Sequence, residues 1–542
     1  MIPTVPAPAA YGDFRAAAAE RGTVRDAPAW CRFVVLVGCI TYAITAVVAL
    51  VGGSFFLLGA VIQVPIWAMV TVPIARRIAR AERDAGVFGF VMAAFSAKML
   101  GVLVRQAVAF GLYGGVQDAN AYDKAGRQLA PFYRHFDFSP NTGKLVGTGF
   151  LKALTGFVYA FSGTSELGAF VFFSFLSFLG LLMLWRAFRR AVPEGDGRRY
   201  GLLVLFLPSL LYWPSALGKE GWGLLCVGLA SYGVALLLTR ALPQGILLLA
   251  AGLVGVTMLR PHVALVVFGG LVMAALLGKP RTATAATPLI RVVVFGALFV
   301  IGSIIVSQAN SFLGVSSLDQ GQVNKKLDKT SHQTSKDAGS RFMPVRINSP
   351  IAVPWAAVTV LFRPLPWEAH SGQELANTAE SCFLIVLAYK SRRRLRSIPR
   401  ELRNSPYVAY CLGFTAMFVF AFSSFANFGI LARQRTQTMP LVLAFLCLPE
   451  FVPVWKKQWS SGNRGVAALE QPAESREESG QLRDVDDPYG RFLPRVQNGE
   501  TRVPAGTRHP DDPYARFGNV GTDPYVRFRT GPPDEPAPPH AG

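Results

Sequence analysis

The chain has 542 residues, 51% of them hydrophobic and only 16% charged, with a formal net charge of +21. Soluble domains carry about 25% charged residues, so this composition excludes a string of ordinary soluble domains. From Lys456 onward there are 12 basic and 13 acidic residues, which leaves 42 basic against 20 acidic in residues 1–455. The positive excess therefore lies in the apolar body, where an account by nucleic-acid binding has no purchase.

Residues 1–32 form an Ala/Pro-rich arm with scattered Arg and no apolar core. That pattern argues against a cleaved signal peptide and makes the first apolar run an uncleaved anchor. Apolar runs then predict spans at 33–52, 54–74, 87–113, 166–185, 200–213, 221–238, 244–259, 262–278, 290–308, 374–389, 406–424 and 437–455. Placing the N-terminus in the cytoplasm gathers 24 Lys and Arg residues in the arm and inner connections, against four in the short outer ones. The expectation is an all-α, polytopic integral membrane protein of the plasma membrane. It has about 12 transmembrane helices within 33–455, and both termini are cytoplasmic.

Long outer loops are expected at about 114–165 and 309–373. Residues 350–363, apolar but wrongly placed for a full crossing, read as a re-entrant or surface-lying helix. Residues 456–542 are too poor in apolar residues to build a core and read as a disordered cytoplasmic tail. It repeats Asp487-Pro-Tyr-Gly-Arg-Phe492, Asp512-Pro-Tyr-Ala-Arg-Phe517 and Asp523-Pro-Tyr-Val-Arg-Phe528, a pattern suited to docking a cytoplasmic partner. The six cysteines sit in or beside apolar segments at no metal or disulfide spacing.

Ionisable groups at membrane depth are costly and usually face a cavity or a partner. Lys98 and Arg105 lie seven residues apart in the third span, hence on one helical face. Tyr113-Gly-Gly-Val-Gln-Asp118 closes that span, and the following segment has an amphipathic helical period suited to the bilayer surface. Asp118 is thereby placed above the mouth of the bundle as a candidate general base, with Asp123 or Glu220 in reserve. An aspartate there would also serve as a plain helix cap. Lys219-Glu220 ends an interfacial turn rich in Trp and Pro, Arg260-Pro-His262 forms a hairpin tip, and Arg433-Gln-Arg435 precedes the last span. Such Arg and Lys groups suit the oxygens of a lipid phosphate. Arg363, Trp367, Glu368 and His370 stand in the second outer loop. There is no paired-ligand metal motif, no nucleophile elbow and no dinucleotide fingerprint. No cofactor is required, and a divalent cation is the one addition the chemistry leaves open.

This pattern resembles the GT-C class of membrane glycosyltransferases, carried by Asp118-x3-Tyr122, by Gly149-Phe150 through Tyr159 and Gly163, and by Arg433-x-Arg435. It also looks like membrane proteins of actinobacterial polysaccharide clusters, through its YGG, PSLLYWPS, RPHVAL and FRPLPWEA segments. Two additional N-terminal spans depart from the usual plan, in which the Asp loop follows span one. The resemblance implies transfer of a sugar from a polyprenyl-phosphate carrier to a glycan or protein acceptor on the outer face. Asp118 would act as base, Lys219, Arg260, His262, Arg433 and Arg435 would hold the phosphate, and Lys98 and Arg105 would line the cavity. One alternative is an enzyme resembling O-antigen polymerases or ligases, using Arg363, Glu368 and His370. The other is a non-enzymatic lipid-glycan transporter, although no internal repeat joins the two halves.

Overall fold

The computed structural model describes residues 27–111, 118–140, 145–239, 241–277 and 351–451, with scattered positions at 143, 296–307 and 342–347. The chain divides into two units, Met1–Val454 and Trp455–Gly542, and the described residues all belong to the first. The start of the N-terminal arm, much of the 290–308 span, the 309–341 stretch and the repeat-bearing tail lie outside the described residues. Among the described residues the chain is helical, with no extended strand.

Among the described residues seven helices are long and apolar enough to cross a membrane, or eight if one bent pair is a single span. Six of them are α1 (Ala29–Val51), α2 (Phe55–Glu82), α3 (Gly86–Gly111), α6 (Glu166–Ala191), α9 (Lys219–Leu238) and α10 (Leu242–Leu259). Each answers an apolar run in the sequence. The seventh, Leu145–Ser162, falls where an outer loop is expected. Its backbone leaves helical angles at Val146 and Gly147, so the regular helix α5 is only Phe150–Ser162. At 1.5 Å per residue that is about 20 Å, short of a roughly 30 Å hydrocarbon layer. Before it lies α4 (Asp118–Arg134), the amphipathic helix expected after the third span. Its apolar face does not stand alone. Tyr122, Leu129 and Ala130 are buried, and a Cβ on Gly156 of α5 would come within 2.6 Å of Leu129 Cβ.

Several predicted spans are shorter or broken. The run at 200–213 splits into α7 (Gly197–Phe206) and α8 (Pro208–Tyr212), because Leu207 before Pro208 takes an extended conformation. Two buried charges cap the break: Ser209 N–H donates to Glu380 Oε2 at 2.6 Å, and Lys98 Nζ donates to the Leu210 carbonyl at 2.7 Å. Helix α11 (Pro261–Leu277) has 17 residues, and α12 (Ala352–Phe362) has 11, about 16 Å and too short to cross. Helix α13 (Gly372–Lys390) buries Glu374 and Glu380 on one side, with apolar residues exposed on the other. A short turn α14 (Arg392–Leu395) leads to α15 (Ile398–Asn404), which is bent by 117° from α16 (Pro406–Phe422). Among its described residues the last apolar run, 437–455, holds only α18 (Met439–Phe445), after α17 (Phe428–Arg435).

The centre is built on α6 and α9, whose backbones touch. A Cβ on Gly180 would stand 2.3 Å from the Leu224 carbonyl oxygen, and one on Gly228 would stand 2.3 Å from that of Gly180. Small residues at such a crossing let two helices gain van der Waals contact that lipid cannot supply. Phe170, Phe173, Phe175 and Phe178 of α6 are buried around it. Polar groups gather at the two ends of this bundle. One end is stapled by the ion pairs Arg189–Glu82 at 2.8 Å and Arg198–Asp84 at 3.2 Å, and by Arg394, which meets Asp196 at 3.3 Å and Glu450 at 3.6 Å. The other end carries the candidate site.

Candidate functional site

The site begins with helix ends. Helix α9 starts at Lys219 after the turn Trp213–Gly218, and Glu220 in its first turn is 4% exposed. The α10–α11 hairpin brings Arg260 to the same place, and α17 brings Arg433 and Gln434. Glu220 Oε1 lies 3.3 Å from Arg260 Nη2 and 3.5 Å from Arg433 Nη2, so one carboxylate serves two guanidiniums. Arg260 Nη1 donates to Gln434 Oε1 at 2.6 Å, and Gln437 donates to the same oxygen at 3.3 Å. Burial strengthens these contacts because water competes weakly for them.

Beside Glu220 is a cavity of about 20 Å³, lined by Arg105, Ala119, Trp213, Glu220 and Arg433 among others. That volume admits about one water. Arg105 donates to the Tyr212 hydroxyl at 2.7 Å, with its guanidinium 4.8 Å from the Tyr212 ring and 5.2 Å from that of Trp213. Cation–π contact of this kind holds a guanidinium in place without neutralising it. Two arginines thus share one carboxylate while a third lines the cavity beside it, a local excess of positive charge.

No family model, curated protein or solved structure matches this chain. The site therefore stands on its own geometry.

The sequence candidates are distributed unevenly around it. Glu220, Arg260, Arg433 and Arg105 come together. Asp118 is the first residue of α4, one position before the cavity-lining Ala119, while its side chain lies outside the described residues. Asp123 is engaged elsewhere: it accepts from the Tyr159 hydroxyl at 2.5 Å and from Arg127 Nε at 2.7 Å, tying α4 to α5. Lys219 donates to Thr148 at 3.2 Å, and the His262 ring packs 6.1 Å from that of Phe422. Lys98, proposed to line a cavity, is instead 1% exposed and spent on the α8 carbonyls.

Arg433 and Arg435 also part company. Residues two apart on a helix point to nearly opposite sides. Arg435 is 0% exposed and donates to the Arg363 carbonyl at 2.9 Å, away from the cavity. Arg363 forms a two-pronged ion pair with Glu368 and lies 4.4 Å over the Phe342 ring. Partial burial raises the Glu368 carboxyl, but the Arg363 hydrogen bond, the Leu365 N–H and the Arg363 charge outweigh it and hold the group below its usual range. Trp367 is 74% exposed and His370 is exposed, its backbone N–H on Glu374. Arg363 and Glu368 form a clamp of their own, and none of the four loop residues is among the contacts of the Glu220 cluster.

Sequence reasoning missed Gln434, Tyr212 and Glu380. Gln434 sits between the two arginines of a motif already marked, and Glu380 is a carboxylate inside a predicted span. Both were readable signals. Among the described residues no group of three or more His, Cys, Asp or Glu could hold a metal ion.

Proposed function

We propose that the chain is a membrane glycosyltransferase that moves a sugar from a polyprenyl-phosphate carrier to a cell-envelope acceptor on the outer face of the plasma membrane. The observation that carries this reading is the convergence of Arg260 and Arg433 on Glu220, with Arg105 lining the same small cavity beside the start of α4. The leaving group of such a reaction is a lipid phosphate, and fixed guanidiniums stabilise the charge that develops on it. Arg433 is the phosphate ligand in this account, since its side chain is the most exposed of the salt-bridged pair at 30%. Asp118 is the base that takes the acceptor proton. Glu220, with its oxygens engaged by two arginines, acts as their anchor.

A second cavity, of about 290 Å³, supports a lipid substrate. It is almost wholly apolar and lies among α1, α2 and α3, lined by Tyr42, Val64, Ser96, Met99 and Val102 among others. Arg105 stands one turn beyond Val102 on the same face of α3, so an isoprenoid chain in this groove would bring its phosphate toward the cluster. The proposed topology is twelve passes with cytoplasmic termini. The rim of arginines at the end opposite the site supports that orientation.

The test is transfer by membranes containing the full chain, using a labelled polyprenyl-phosphate sugar. A labelled glycan product is expected, and Asp118→Asn should reduce it by a hundredfold or more. Full activity in Asp118→Asn would remove the base assignment. The broken α7–α8 span with charged caps favours one other reading, a lipid-glycan transporter. Movement of the labelled lipid across vesicles without glycosidic-bond formation would select it.

A further inference from the structure

The end of the bundle opposite the Glu220 cluster carries arginines that do more than staple helices. The turn α14 is fixed from three sides. Arg394 donates to the Leu448 carbonyl at 2.9 Å and pairs with Asp196 at 3.3 Å, Phe451 N–H donates to the Arg393 carbonyl at 3.2 Å, and Arg199 donates to Ser391 Oγ at 2.5 Å. From this locked backbone Arg392, Arg393 and Arg396 project into the open, with no carboxylate partner among the described residues. Arg392 is further held 5.0 Å over the Tyr389 ring.

Three like charges carried on one fixed turn repel one another and call for a shared counter-anion. What precedes them on α13 says which anion fits. Phe383, Val386 and Tyr389 recur at helical spacing and are 49%, 52% and 69% exposed, an apolar stripe that runs straight to the arginines. Water is a poor neighbour for such a stripe, and acyl chains are a good one. The bend of 117° between α15 and α16 turns the following segment, which carries exposed Arg400 and Arg403, away from the α16 axis. A ligand with two apolar chains and a phosphate at one end matches both halves.

We propose that α13 and α14 form a binding site for an anionic phospholipid, its acyl chains along Phe383, Val386 and Tyr389 and its phosphate on Arg392, Arg393 and Arg396. The site is separate from the Glu220 cluster and independent of the transfer reaction. Phospholipid attraction to basic juxtamembrane segments is general, but here the charges are preset by Arg394 and the chain path is marked on the adjoining helix.

The test uses the purified full chain in detergent, titrated with phosphatidylglycerol or phosphatidylcholine and read by native mass spectrometry. Wild type should retain phosphatidylglycerol at least tenfold more strongly than phosphatidylcholine. Arg392→Gln/Arg393→Gln/Arg396→Gln should abolish that preference and leave phosphatidylcholine retention unchanged. Arg76→Gln/Arg77→Gln, which removes exposed charge from α2, should keep it. Arg393→Gln alone, a milder change, should lower it about threefold. Preference unchanged in the triple variant would overturn the site, and so would an equal fall in the α2 variant, which would mark a diffuse charge effect. Equal retention of a chainless polyanion such as single-stranded DNA would overturn it as well, assigning the arginines to a different class of partner.

Discussion

Arginine builds both ends of this bundle, yet it does different things at each. At the stapled end each carboxylate meets its guanidinium near the rim: Arg198 is 65% and Asp84 28% exposed in their pair. At the other end Arg260 and Glu220 are 10% and 5% exposed, and the carboxylate is shared. Exposed pairs contribute about 0–1 kcal/mol, because water already solvates both partners. A buried pair repays a large desolvation cost only if every member stays in place. The same residue type is therefore dispensable fastening in an exposed pair such as Arg198–Asp84 and part of an interdependent cluster around Glu220. A protein that concentrates interdependent charge at one place, beside a cavity, has a use for it there.

Removing one member tests that difference most severely. Glu220→Gln leaves Arg260 buried and uncompensated, and a loss of about 3–5 kcal/mol is expected, read as a lowered unfolding midpoint of the purified chain. The parallel change Asp84→Asn at the stapled end should cost no more than about 1 kcal/mol. Equal losses would erase the distinction. Next in size is the central crossing, which both ends share. Gly228→Ala forces a Cβ onto the Gly180 carbonyl and should cost about 1–3 kcal/mol without favouring either end.

Arg433→Gln sharpens the comparison in another way. Its side chain is partly exposed, so stability should fall by about 1 kcal/mol or less while sugar transfer drops by about a hundredfold. A structural role alone would move the two together. The smallest effect belongs to the Arg363–Glu368 clamp. Glu368 releases its proton more readily folded than unfolded, so its contribution is complete above the unfolded value of about 4.3 and is lost as pH falls below it. Wild type should lose more stability than Glu368→Gln between pH 6 and the acid range, measured by unfolding at each pH.

Much of the fold was legible because apolar length is a strong signal. Helices α1, α3, α9 and α10 match the predicted runs within a few residues, and α2 and α6 run eight and six residues past theirs into basic helix ends. The failures have physical causes. Pro208 broke an apolar run that looked continuous, and among its described residues the run at 437–455 contains only the seven-residue α18. Leu145–Ser162 was hidden because glycines and a lysine dilute its apolar character. At the site, the types of residue were legible and their partnerships were not. Arg433 and Arg435 are neighbours in sequence but diverge on their helix, while Glu220, Arg260 and Arg433 are far apart in sequence and meet. Asp123 looked as available as Asp118 until Tyr159, thirty-six residues later, was seen to hold it.

The most direct test of the Glu220 cluster as an anion site is the affinity of the purified full chain for a polyprenyl phosphate. Wild type should bind it, Arg198→Gln at the stapled end should bind equally well, and Arg433→Gln should bind ten- to a hundredfold more weakly, as loss of a charge-assisted hydrogen bond of about 1.5–3 kcal/mol implies. Undiminished binding by Arg433→Gln would contradict the account.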